Sequence, residues 1–140
     1  MRYAIILLII FIVIWVGQFS YTLWIRPIDQ PTSEILRLEK HFNNKKIIGH
    51  IYPVRHGYNH SRVLSVSAFK IEDYPLPFGL VDCATEQEAI SRSSPQAGLP
   101  NELQPVRNGK VVLDFTLWGD DTISMAQSVK NVFMDYVHEP

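Results

Sequence analysis

Three histidines stand close together at His50, His56 and His60, and imidazole is the commonest protein ligand for a metal. Their spacing does not by itself build a site. Gly57 lies in a loop between His56 and His60, so helical spacing cannot put them on one face, and no third or fourth ligand is fixed nearby. They are expected to face solvent around a turn, with no metal and no cofactor. Cys83 is the one cysteine in the chain, so no internal disulfide can form. Beside one of the histidines it could make a Cys–His nucleophile, but that needs hydrogen-bond reach and a lowered thiol pKa. Without a surrounding motif, it is expected to be a small buried hydrophobe.

The other reactive residue types fare no better. Ser65 and Ser67 lie in an alternating run and lack the G-x-S-x-G elbow that exposes a nucleophile at a strand-to-helix turn. The pairs Glu72-Asp73 and Asp120-Asp121 sit at element ends, where turn and cap duties account for them. Gly79, Gly98, Gly109 and Gly119 stand singly, which rules out a glycine-rich phosphate loop. No catalytic residue is assigned on this basis, and the chain is not expected to be an enzyme.

The stretch that positions everything else is Ala4 to Ile25, uncharged between Arg2 and Arg26 and apolar throughout as far as Gly17. About 20 apolar residues at 1.5 Å rise cover a bilayer's ~30 Å core, so residues 1–25 are expected to form a transmembrane signal-anchor in contact with lipid. A cleaved signal peptide is the competing reading. It is disfavoured because candidate cleavage sites after Gly17 or Ser20 place Trp15 or Gln18 where a small residue is wanted. Tyr3, Tyr21 and Trp24 lie where aromatic rings prefer the headgroup layer. By charge count Arg26, Arg37 and Lys40 would keep the C-terminal part in the cytoplasm, yet long domains translocate largely regardless of charge. The expectation is a single-pass protein of a bacterial inner membrane with its domain on the periplasmic side.

Beyond the anchor, roughly 110 residues suffice for one domain and not for two. The 13 basic and 14 acidic residues nearly cancel, which argues against a nucleic-acid surface. Pro27 and Pro31 make residues 26–31 a linker, and residues 32–140 the domain. Thr32 or Ser33 can cap a helix ending at Asn43-Asn44. Lys46–Arg55 and Arg62–Ile71 read as an antiparallel hairpin, with Pro53 confining the first strand to its end or to an edge. After Pro75 and Pro77, Phe78–Val81 is a third strand or a packed loop. Thr85 with Glu88 has capping-box spacing for a short helix to about Arg92.

Ser93–Gln104 is loop by composition. Asn108-Gly109 predicts a type I′ turn joining Leu103–Arg107 to Val111–Trp118. An aspartate at 120 or 121 is placed to cap a last helix, whose Ile123, Ala126, Val129, Val132, Phe133 and Tyr136 form an apolar stripe. The predicted fold is α+β, an antiparallel sheet of two hairpins and an optional extra strand, covered on one face by two main helices.

Loops with apolar groups often carry partner contacts, which singles out Tyr58, Tyr74, Leu76, Phe78 and Leu99, although Tyr74, Leu76 and Phe78 could equally fold back over the core. The functional expectation is a membrane-anchored protein-binding domain, an accessory subunit of an envelope assembly or an inhibitor or immunity-type protein, with an unidentified protein partner. The second reading is a small envelope hydrolase using Cys83 and the hairpin histidines.

Overall fold

A computed structural model of the chain describes residues 2–20, 30–54, 62–115 and 118–138, and within the first helix the side chains of residues 5–17. Helix α1 runs Arg2–Ser20. Every side chain from Ile5 to Val16 is 49–67% exposed, so its apolar surface is presented on all sides. Among the described residues no helix is long and apolar enough to cross a membrane. Residues 5–17 rise only about 20 Å. The expected span over residues 4–25 is therefore not established by the fold, and its end, residues 21–25, lies outside the described residues.

The domain begins where the caps predict. Thr32 is extended and its hydroxyl accepts the Ile35 amide, starting helix α2 (Ser33–Asn44). Ile35, Leu38 and Phe42 recur at three-to-four-residue spacing and are fully buried. Strands β1 (Gly49–Pro53) and β2 (Val63–Ile71) pair antiparallel, with Pro53 closing β1 at the sheet edge. The bonds Glu72 N–H to Ile48 O and Val54 N–H to Val66 O bracket this ladder, so the amides of Gly49 and Ile51 point outward. Asn43 Oδ1 accepts the first at 2.9 Å and Glu39 Oε1 the second at 3.1 Å. Proline has no amide at the third outward position, so α2 and Pro53 together close the edge to a further strand.

Segment Phe78–Cys83, for which the sequence allows a strand or a loop, is β3, the middle strand of a sheet ordered β1-β2-β3-β5-β4, with β4 (Val106–Asn108) and β5 (Val111–Asp114). All its pairings are antiparallel. Helix α3 (Glu86–Arg92) is capped by Thr85, whose hydroxyl accepts the Glu88 amide. Helix α4 (Ile123–Met134) follows a short turn of 3-10 helix at Asp120–Thr122. The aspartate cap expected there is replaced by Thr122, whose hydroxyl donates to Gly119 O and caps no helix amide.

The fold is thus α+β, four helices and a five-stranded antiparallel sheet among the described residues. Helices α2 and α4 share one face of the sheet, where Phe42, Phe69 and Phe78 meet with ring centroids 5.1–5.4 Å apart and Ala126, Val129 and Phe133 complete the core. The short α3 takes the opposite face, packing Ala89 on Cys83 and Val112.

One turn differs from its prediction. Asn108 pairs with Val111, so the two-residue turn is Gly109-Lys110, with positive φ at Gly109 only. Glycine first in the loop is the type II′ pattern, not type I′. Asn108 stays in the strand because its side chain is engaged elsewhere: Nδ2 donates to Phe133 O at 2.9 Å and Tyr136 O at 2.7 Å, satisfying carbonyls at the end of α4.

Candidate functional site

The start of α2, the end of β3 and the β4–β5 turn converge on a cleft of about 540 Å³ lined by Glu34, Leu64, Asp82, Glu86, Gly109–Val111 and His138. Each wall follows from a local rule. The register of β2 against β3 slips between Val63 and Ser65, leaving Leu64 opposite no residue, and this bulge holds its side chain 48% exposed. Asp82 lies on the face of β3 that the α2 and α4 helices cover, next to the helix start, so it is only 4% exposed. Thr32 links it to α2: the same hydroxyl that accepts the Ile35 amide donates to Asp82 Oδ2 at 2.6 Å.

The opposite wall is a chain of polar bonds. His138 Nδ1 bonds Glu34 Oε1, while its Nε2 lies 3.1 Å from Asn108 Oδ1. The two carbonyls below Asn108 fix its amide orientation, so Oδ1 is the acceptor and the histidine Nε2–H donates. Glu34 Oε2 also lies 3.5 Å from Arg37 Nη1. Gly109 lets the ring approach, since a Cβ there would stand 2.7 Å from His138 Nε2.

These groups are unequally satisfied. Glu34 faces both His138 and Arg37, and His138 is bonded through both ring nitrogens. Among the described residues Asp82 has Thr32 alone: its Oδ1 takes no hydrogen bond, and no described cation lies within ion-pair distance. Burial pushes its carboxyl pKa up; the Thr32 hydroxyl and the Lys110 charge pull the other way, Glu34 adds to the rise, and His138 opposes it. The arrangement can accept a donor or a cation from a ligand. Among the described lining residues, the imidazole of His138 and the hydroxyl of Thr32 are already engaged.

Those of the residues singled out from sequence that are described lie elsewhere. Phe78, expected among the partner contacts, is 1% exposed and part of the aromatic core. Tyr74 and Leu76 pack against the same core; Tyr74 rests on Trp118 with centroids 5.0 Å apart, and Trp118 Nε1 donates to Pro77 O. Leu99 is half-buried in a loop tied together by Gln104, whose amide bonds the backbone of Gln96 and Leu99. Tyr58, His56 and His60 lie outside the described residues.

His50 is exposed on β1, toward the end of β2 at Ile71, whereas Cys83 pairs with Val63 at the other end. Cys83 is fully buried, burial pushes its thiol up to about 11, and the strand pairings keep it and His50 at opposite ends of β2. Among the described residues no three His, Cys, Asp or Glu are grouped to hold a metal ion. Ser65 and Ser67 are buried strand residues, as expected of packing positions.

Sequence reading missed Asp82, Glu34 and His138 as a group. The only signal was indirect, a charged residue closing the apolar run Phe78–Val81 that had to be either exposed or compensated. In comparison with known proteins, no family model, no curated protein and no solved structure matches the chain.

Proposed function

We propose that this chain is a single-pass, membrane-anchored protein-binding domain, held through residues 4–25 with the α+β domain on the periplasmic side of a bacterial inner membrane, and that its cleft is where a partner is engaged. The observation that carries the anchor is the exposure of Ile5–Val16 on every side of α1. A helix apolar all round belongs in a core or in lipid, and the domain has a closed core of its own built from α2, α4 and the sheet. Binding rather than turnover is supported by a cleft whose described imidazole and hydroxyl are already bonded while the Asp82 carboxylate, lining the cleft, keeps one oxygen with no described donor.

Membrane fractionation of cells expressing the full chain tests the anchor. The protein is expected to stay in the pellet through an alkaline carbonate wash and to leave it when Ile9 and Val13 are both replaced by Lys, since each central charge costs roughly 2.5–3.5 kcal/mol on insertion. Recovery of the unaltered chain in the carbonate supernatant refutes the anchor. Detergent solubilisation with mild cross-linking should return one stoichiometric partner, and a reporter fused after Pro140 should be active only outside the cytoplasm.

A further inference from the structure

Taking the protein-binding reading as its basis, we infer that the cleft receives an alkylammonium group, a lysine side chain of the partner, with its nitrogen on Asp82 Oδ1 and its methylene stem along Leu64. Asp82 lines the cleft while more than nine-tenths buried, and the oxygen not bonded to Thr32 has no donor among the described residues. A buried carboxylate needs a charged or multiple-donor partner to offset its lost hydration. Among the described residues the cleft's own cations act on it only at a distance: Lys110 is exposed on the turn with no ion pair to Asp82, and His138 is held by Glu34 and Asn108.

An ammonium brings three donors and a charge on a slender apolar stem. Leu64, pushed out by the bulge and 48% exposed at the mouth, is the apolar surface such a stem requires, and Glu86 adds a second carboxylate to the lining. An anionic group would meet Asp82, Glu34 and Glu86 against Lys110 and the already bonded His138, so its approach is opposed.

The test is an NMR titration of the isotope-labelled full chain in detergent micelles, using n-butylammonium chloride as probe, with n-butanol and sodium butyrate at matched concentration and ionic strength. Butylammonium is expected to give saturable shifts at Leu64, Asp82, Gly109 and Lys110, and butanol and butyrate to bind at least about tenfold more weakly, the scale of a charge-assisted hydrogen bond. D82N, which keeps the shape and the Thr32 bond, should weaken butylammonium by about tenfold or more and leave the remaining spectrum in place. L64S should weaken it as well.

Equal binding of butanol, preference for butyrate, or unchanged affinity in D82N overturns the inference, as does the absence of shifts in a folded spectrum. The two readings fail separately. A cross-linked partner whose capture is indifferent to D82N, with no ammonium binding, removes the lysine site and leaves the protein-binding reading intact; ammonium binding without any partner does the reverse.

Discussion

Gly109→Ala is the substitution that most directly interrogates the cleft. Two costs combine at this position. Its φ of +56° places an L-residue in the left-handed region, about 1–2 kcal/mol unfavourable. The new methyl would also stand 2.7–3.2 Å from three atoms of the His138 ring, so the ring must leave. Its bonds to Glu34 and Asn108 then go, each worth about 0.5–1.5 kcal/mol net. The sum is about 2–5 kcal/mol, seen as a fall in Tm of roughly 10–30 °C for a domain of this size.

The diagnostic is the coupling. His138→Ala alone should cost about 1–3 kcal/mol, the value of its two bonds. In the Gly109→Ala background the ring is already displaced, so adding His138→Ala should cost almost nothing further. Urea denaturation of the four proteins in micelles measures the cycle. If the two substitutions are additive, the ring does not rest on the turn and the described wall of the cleft is wrong.

Three further outcomes are expected. Burial raises the Asp82 carboxyl pKa above its unfolded value, so the native state holds that proton more tightly and stability is lost as pH rises through the folded value; D82N should be more stable than the parent at pH 7 and lose that advantage at pH 3, as read from urea midpoints. Cys83 should react with iodoacetamide at pH 8 on the order of 10²-fold more slowly than a free thiol until the domain unfolds, since it is buried and its thiol lies near 11; rapid alkylation of the folded chain contradicts its place under α3. Replacing Glu39 and Asn43 by Ala strips the acceptors from two outward amides of β1 and should cost roughly 1–3 kcal/mol per amide where the site stays dry, with concentration-dependent self-association in sedimentation velocity; unchanged stability and a single species would show that the edge is not protected this way.

The local chemistry of the chain was legible from its residues. Thr32 and Thr85 announce helices because a hydroxyl before the first turn can accept a free amide, and both do so. Pro53 had to end or edge a strand, and the apolar stripe of α4 had to face a sheet, since neither depends on where distant residues lie. The central position of β3 was obscured by Pro75 and Pro77, which break the pattern just before a strand that is then buried on the helix side. The Asn108-Gly109 pair misled for a tertiary reason: the asparagine amide serves the end of α4 and stays in the strand, shifting the turn by one residue.

What only the tertiary structure decided is the cleft. His138 and Glu34 are 104 positions apart and Thr32 and Asp82 are 50 apart, separations at which spacing carries no information. By itself the sequence determined a long apolar segment, a near-neutral balance of charge and a set of caps, strands and one stripe, because each is a property of composition or of neighbours along the chain. Folding determined that Asp82 is buried against a helix start with Thr32 as its one described hydrogen-bond donor, because desolvation depends on what packs around a group and not on what precedes it.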